Sequence, residues 1–405
     1  MNPREYARNI LEETVLNHGF ASLLLRKQSG FSTRDHALIS EIVYGTLRSW
    51  TFLQYQWEDL VNTKVRPKTA VLLNMAVYQL LYMDRIPAYA VISESVDLAS
   101  KKEQKFVNAV LRKVSARGMK QAHGDTPLET AALQYSHPLW IMNLWKAHYG
   151  EETAIRIAEH DSTRACVYGR INTLKATKEE LEQIPEVHFV NDISFTYDGI
   201  LTDSDIFREG KAVIQDIASA MIPQYLDVMP GMSVLDVCAA PGTKTQETAM
   251  FMQNQGKILA GDLYEHRVKL IGSLMERTGV SIVTAQVRDG IACSDSDSYD
   301  RVLIDAPCSG LGDLRGKPEI RLHTKPEDLD ELVRTQKALL ENNGRLVRPG
   351  GVLVYSTCTL NRKENEGQIQ NYLKGHPEFT LVKEKTFFPF EMNSDGFYAA
   401  VLAKK

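Results

Sequence analysis

Along residues 1–125 apolar positions recur every three or four residues. Leu38, Ile42, Val43 and Leu47 form one such run, and Phe106, Val107, Val110, Leu111 and Val114 form another. That spacing belongs to helices that bury one face. Breaks fall at Gly30-Phe31-Ser32, at Arg66-Pro67 and at Arg85-Ile86-Pro87, each where a capping residue or a proline stops or starts a helix. About five helices of ordinary length fit between them, as an all-helical bundle. From Gly118 to Asp125 the chain turns polar, and Tyr135 to Trp140 opens a new segment, which places a boundary near residue 125. Residues 126–210, with short β-branched runs such as Val187 to Val190, read as a small α/β connector.

The period changes after residue 211. Short apolar runs over 233–237, 257–260, 281–287, 301–304 and 351–355 alternate with helical stretches. Strand and helix in alternation predict an α/β domain over 211–405, with a parallel sheet covered by helices on both faces. Ligands of such sheets sit beyond the carboxyl ends of the strands, so chemistry is sought there.

Composition adds exclusions. The chain has 405 residues, 43% hydrophobic and 24% charged, with a net charge of -4. Those proportions exclude a disordered chain or a fibrous repeat. The longest nearly apolar stretch, Ala70 to Met83, is interrupted by Asn74 and Gln79 and is too short to span a bilayer. The mixed charge of Arg4, Glu5, Arg8, Glu12 and Glu13 does not fit an export signal, so a cytoplasmic protein without membrane association is expected. Charge is uneven: residues 1–125 carry 17 Lys and Arg against 12 Asp and Glu, and Lys101 to Lys120 carries seven bases and one acid. Such a run is a solvated helix face or a phosphate-tracking patch. The five cysteines form no C-x-x-C pair, which argues for free thiols.

Five strand ends carry candidate chemistry. Asp236-Val237-Cys238-Ala239-Ala240-Pro241-Gly242-Thr243-Lys244-Thr245 is a strand end, a turn of small residues that lets a ligand approach the backbone, and a helix start. Both the phosphate loop and the three-glycine dinucleotide fingerprint are absent. Asp262 ends the second strand, twenty residues past Gly242, where ribose hydroxyls are held, and Asp289 stands at the end of the third, placed to accept from an adenine amino group. Each aspartate alone is more simply a turn or cap residue; three at successive strand ends are less simply so. Asp305-Ala306-Pro307-Cys308 and Ser356-Thr357-Cys358 each put a thiol just past a buried strand, facing one crevice. Cys166 and Cys293 read as small buried hydrophobes, and Cys238 as packing within its loop.

The segments Asp236 to Thr245, Asp305 to Gly312 and Ser356 to Leu360 resemble the Sun family of cytosine-C5 RNA methyltransferases, which use S-adenosylmethionine and carry a Pro-Cys and a Thr-Cys motif. The likeness runs over about residues 205–405. Asp35 to Arg48 and Phe106 to Lys113 are similar to a NusB-like RNA-binding domain, and the pairing resembles the bacterial branch acting on 16S ribosomal RNA. The resemblance implies an all-helical NusB-like domain, then a Rossmann-like methyltransferase domain with a mostly parallel seven-stranded sheet. It implies methylation of a cytosine of 16S ribosomal RNA, of the cytosine-967 type, by a monomer, through a covalent adduct. Cys358 is then the nucleophile, Cys308 the residue acting in product release, and Asp305 the group that hydrogen-bonds the base near N3. Cys238, Ala239, Ala240, Pro241, Gly242, Thr243, Lys244, Asp262, Asp289 and Asp305 line the S-adenosylmethionine pocket, with no metal. Thr243 departs from the usual second glycine. Gly316-Lys317 replaces a more arginine-rich pair, leaving Arg315 and Arg321 as nearby phosphate contacts. An RNA-binding factor with a vestigial fold would have no use for the two cysteines, and a nicotinamide oxidoreductase lacks its glycine fingerprint. A cytosine elsewhere in ribosomal or transfer RNA remains an alternative target.

Overall fold

The computed structural model describes residues 2–27, 30–294, 296 and 298–405, and the chain divides into two compact units. The first comprises residues 1–164 together with Leu314–Thr324. Its helices are α1 (Pro3–Asn17), α2 (Ala21–Arg26), α3 (Thr33–Arg48), α4 (Trp50–Tyr55), α5 (Pro67–Tyr82), α6 (Ala88–Leu98), α7 (Gln104–Arg117), α8 (Pro127–Gln134), α9 (Leu139–Tyr149) and α10 (Glu151–Asp161). The expected breaks are used. Ser32 caps α3 by accepting from the Asp35 N–H, Pro67 opens α5, and Pro87 precedes α6. Val107, Val110, Leu111 and Val114 form the buried stripe of α7.

Seven α-helices, rather than about five, precede residue 118 among the described residues. The extra breaks lie at His18, which is left-handed with φ 58°, and at Ser49, neither of which is a proline or glycine. Helix also continues past residue 125. α8 to α10 bury Leu128, Ile141, Met142, Trp145 and Ile157, so the helical unit runs to Arg164.

Arg321 organises the far end of this unit. It is 1% exposed. Its guanidinium donates to the carbonyls of Arg48 at 3.1 Å, Tyr135 at 3.2 Å, Leu314 at 3.0 Å and Asp161 at 3.4 Å. Arg48 and Asp161 are the last residues of α3 and α10, and Tyr135 is the C-cap of α8. One cation therefore answers the carbonyl ends of three helices, where a positive charge is favoured. Burial pulls its pKa down to about 10, Asp161 opposing, so it stays charged. Arg315 is also buried, with Nη1 3.1 Å from His160 Nε2. Neither arginine is available as the phosphate contact expected of it. Both are used inside the protein.

The second unit comprises residues 165–313 and 325–405. It begins with a small antiparallel sheet of β1 (Tyr168–Ile171), β2 (Val187–Phe189), β3 (Ser194–Tyr197) and β4 (Ala212–Ile214), in the order β2-β3-β1-β4. Phe195, Ile171 and Leu181 fill its core. The large sheet consists of β5 (Ser233–Asp236), β6 (Lys257–Asp262), β7 (Val283–Val287), β8 (Tyr299–Asp305), β9 (Val347–Thr357), β10 (Phe379–Phe387) and β11 (Phe397–Lys404). Their order is β10-β11-β9-β8-β5-β6-β7, parallel from β9 to β7 and antiparallel in the last two pairings. All five strands expected from the sequence are present. Strand order reverses about β5, so the crevice at the carboxyl ends of β5, β6, β8 and β9 is where a ligand belongs.

A fully buried Arg170 on β1 fastens the small sheet to the helix that follows β5. It donates to Gln215 at 2.7 Å and to Gln246, and lies 3.6 Å from Glu247.

Replacing Arg321 with Met leaves several helix-end carbonyls without a donor. The expected result is a loss of roughly 3–5 kcal/mol, or a melting temperature lower by roughly 6–20 °C, checked by calorimetry against the parent chain.

Candidate active site

β5 ends at Asp236, a buried carboxylate whose Oδ2 accepts from Thr245 Oγ1 at 2.7 Å. Burial pushes Asp236 up to about 7, against the pull of that hydrogen bond, with the charge on Asp305 adding to the rise. Its Oδ1 is buried without a hydrogen-bond partner among the described residues, an acceptor still open to a donor. The loop that follows is tied down at both sides: Val237 N–H donates to the Leu303 carbonyl on β8, and Ala239 N–H to Gly261 on β6. Gly242, at φ 103°, turns the chain into the Thr243–Phe251 helix. A side chain there would be strained by that φ, and its Cβ would lie 3.3 Å from Ile271 Cα. Cys238 sits among carboxylates; burial first, then Asp236, Asp305 and Asp262, push its thiol up, as suits a packing residue.

Asp262 ends β6 and is 4% exposed. Its Oδ1 accepts from Tyr264 N–H at 3.3 Å, and its Oδ2 lies 3.4 Å from the Arg267 guanidinium. Arg267, which sequence reasoning missed, also donates to the Ala240 carbonyl at 3.1 Å, so it joins the acid to the loop after β5. Beside them Leu263, Tyr264, Val287 and Ile291 are large apolar side chains left exposed. Asp289 is exposed, and its Oδ1 accepts from Ile291 and Ala292 N–H groups at 2.9 and 3.3 Å, the hydrogen bonds of a turn.

The donor set suits a nucleoside with a cationic tail. A loop of small residues leaves room against the backbone, Asp262 offers a carboxylate to a diol, and uncovered apolar side chains offer a surface to a flat ring. Asp305 places negative charge nearby.

Asp305, at the end of β8, accepts from Lys244 Nζ at 2.8 Å and from Ser356 Oγ at 2.7 Å. Burial works against the Lys244 ammonium, but the Asp305 carboxylate together with the charges of Cys358 and Asp236 outweighs it, and the lysine titrates above its ordinary range. The pairing of β8 with β9 sets Asp305 opposite Ser356. Three residues beyond the one and two beyond the other, Cys308 Sγ and Cys358 Sγ come to 3.4 Å. The hydrogen bond to Cys358 is the largest influence holding the Cys308 thiol well above its usual pKa, followed by burial and the charges of Cys358 and Glu364.

Around the thiols lies a buried polar network that the sequence reading did not find. The Glu364 carboxylate accepts from Ser309 N–H, Ser309 Oγ, Gln336 Nε2 and Asn361 Nδ2. Asn365 donates to the Thr359 carbonyl at 2.8 Å. The signal was present as the polar run Asn361 to Asn365 directly after the Thr-Cys motif, but such a run reads first as a solvated loop. Two thiols are also placed otherwise than expected. Cys166 is exposed, with Asn393 Nδ2 3.2 Å from its sulfur. Cys293 is half-buried, its sulfur accepting from Arg288 at 2.7 Å and Asn342 at 3.0 Å. Neither is a simple core hydrophobe, because each has a polar partner that a methyl-like side chain could not satisfy.

Residues 223–403 match the family model described as 16S rRNA methyltransferase RsmB/F, and residues 1–116 match the NusB family. The chain is 32% identical to the probable ribosomal RNA small subunit methyltransferase B of Bacillus subtilis (strain 168), over 99% of this chain and 98% of the relative. It is 31% identical to the ribosomal RNA small subunit methyltransferase B of Vibrio cholerae serotype O1, over 100% and 98%. The crystal structure of PH0851 superposes with a TM-score of 0.82 at 27% identity, covering 99% of each chain. A NusB-type helical domain, a mostly parallel seven-stranded sheet and full-length similarity together place this chain in the ribosomal RNA small subunit methyltransferase B family of S-adenosylmethionine-dependent enzymes.

Proposed function

We propose that the chain methylates C5 of a cytosine in 16S ribosomal RNA, of the cytosine-967 type, through a covalent bond between Cys358 and C6 of the base. The observation that carries this reading is the 3.4 Å approach of two thiols beside the Lys244–Asp305 pair. The residues that would hold the methyl donor are the Cys238 to Lys244 loop, Asp262, Asp289 and Asp305. S-adenosylmethionine supplies an electrophilic methyl group on a sulfonium.

C5 of cytosine is a poor nucleophile, and attack on C6 makes it a good one. The Cys358 thiolate adds to C6, and the displaced electron pair moves through C5 toward the ring carbonyl and N3. N3 takes a proton from solvent as that charge arrives. Asp305, oriented by Lys244 and Ser356, accepts from the N3–H so formed and holds the base, and the proton is given back when C5 attacks the methyl group. C5 then takes the methyl group. The remaining C5 proton passes to Cys308, its electron pair re-forms the C5–C6 double bond, and Cys358 leaves as thiolate. The environment of Cys308 orders these steps. While Cys358 is an anion, its hydrogen bond and charge keep the neighbouring thiol protonated. Bonded to carbon, the Cys358 sulfur is neutral, so Cys308 gives up its own proton to solvent and becomes the thiolate that takes the C5 proton.

A base paired in RNA must leave its stack to meet two half-buried sulfurs, and the helical domain is the natural grip on flanking phosphates. Within Lys101 to Lys120, Lys101, Lys102, Lys105 and Lys113 are exposed, whereas Arg117 and Lys120 pair with Asp59 at 2.9 and 3.3 Å. Every residue named in the reaction comes from one copy of the chain, in keeping with a monomer.

The direct test is transfer of labelled methyl groups to unmodified 16S ribosomal RNA, with bisulfite mapping of the product. One labelled cytosine supports the reading; binding without transfer, or label on another RNA, defeats it. Replacing Cys308 with Ala is expected to trap a protein–RNA species that survives denaturing electrophoresis, and replacing Cys358 with Ala to abolish both that band and turnover. Equal adduct in both variants would reverse the assignment. Replacing Asp262 with Ala is expected to weaken S-adenosylhomocysteine binding by about 1–3 kcal/mol in titration calorimetry, and unchanged affinity would remove Asp262 from the pocket.

A further inference from the structure

Glu364 is fully buried, and among the described residues no lysine or arginine pairs with it. Four donors surround its carboxylate: Ser309 N–H at 2.9 Å, Ser309 Oγ at 2.6 Å, Gln336 Nε2 at 2.9 Å and Asn361 Nδ2 at 2.9 Å. Two of these belong to the residue next to Cys308. Gln336 also donates to the Pro307 carbonyl at 3.0 Å, on the other side of that cysteine. Ser309 Oγ lies 2.7 Å from Thr359 Oγ1, next to Cys358. Both cysteine motifs are thus held by their neighbours to one carboxylate. A buried anion is a costly way to fasten two loops, since neutral side chains of the same shape would do so without desolvating a charge.

We propose that Glu364 is a positioning residue for methyl transfer: through Ser309 it fixes the Cys308 thiol against Cys358 at the spacing the reaction needs. The inference rests on the cytosine chemistry proposed above and adds to it a group outside the cysteine motifs. The charge has a second effect in the same direction. Cys308 is faced by Cys358 and Glu364, with Asp305, Lys244 and Tyr355 around the pair. The hydrogen bond to Cys358 and the Glu364 carboxylate both help to keep its proton in place. Holding two reacting groups in register is worth orders of magnitude in rate, so loosening Ser309 should cost turnover rather than cofactor affinity.

The test compares the parent with Glu364→Gln, which keeps the shape but sets an amide N–H against the donors, and with Ser309→Ala, which keeps the backbone contact and loses the hydroxyl. Expected for Glu364→Gln is a kcat lower by roughly 10- to 100-fold with KM for S-adenosylmethionine within about twofold. Alkylation of Cys308 by iodoacetamide, followed site by site in the peptide mass spectrum, should move to lower pH. Ser309→Ala should fall between the two in kcat. Either variant at the parental kcat overturns the proposal, as does a loss of kcat in Glu364→Gln with an unmoved Cys308 alkylation profile, which would mark a purely structural role. If Glu364→Gln does not fold, Ser309→Ala decides. The alkylation profiles are read on the RNA-free protein, so a parent chain that fails to methylate cytosine defeats the proposed function separately from the placement of Cys308 by Glu364.

Discussion

Parallel pairing of β8 with β9 is the constraint from which the site follows. Backbone hydrogen bonds fix Asp305 opposite Ser356, and a slip of one residue would turn every side chain of the strand to the other face. In the observed register Ser356 reaches the Asp305 carboxylate, and the two loops that follow bring their sulfurs together. The buried apolar faces of β8 and β9, including Val302, Ile304, Leu353 and Tyr355, hold that register. Packing energy far from the thiols is thereby converted into their separation.

Charge is arranged with the same economy. Lys244 answers Asp305, and four neutral donors answer Glu364, so the half-buried and the buried carboxylate near the thiols are stabilised by different means. The lysine is attached to the helix that starts at Gly242, and the cysteines to strand ends. The cation that orients Asp305 therefore comes from the same segment that shapes the loop after β5. A change in that loop would be felt at the acid.

Much of this was legible beforehand because it depends on local pattern. The parallel strands show as β-branched runs, the helix breaks at Ser32, Pro67 and Pro87 show as caps, and the paired cysteine motifs are specific in themselves. What was not legible depends on long-range partners. β10 and β11 lie at one end of the sheet, and β10 exposes Lys383, Glu384 and Lys385, as an edge strand should; its periodicity is correspondingly faint. Arg315 and Arg321 read as surface cations because nothing in their neighbourhood announces the carbonyls and the imidazole that bury them. Glu364 was hidden for the same reason: its four donors come from three separate stretches of chain. Polar residues reveal their depth only through their partners.

The segment Leu314–Thr324 bears on modularity. It is encoded between β8 and β9, in the middle of the catalytic sequence, yet it is a structural part of the helical unit. Cutting the gene at a single point near residue 164 would therefore not yield two self-sufficient halves. The downstream piece would keep an arginine stripped of the carbonyls of Arg48, Tyr135 and Asp161, and the upstream piece would keep three helix ends stripped of their cation. Dividing the gene along the structure would take three cuts, one after residue 164 and one on either side of residues 314–324.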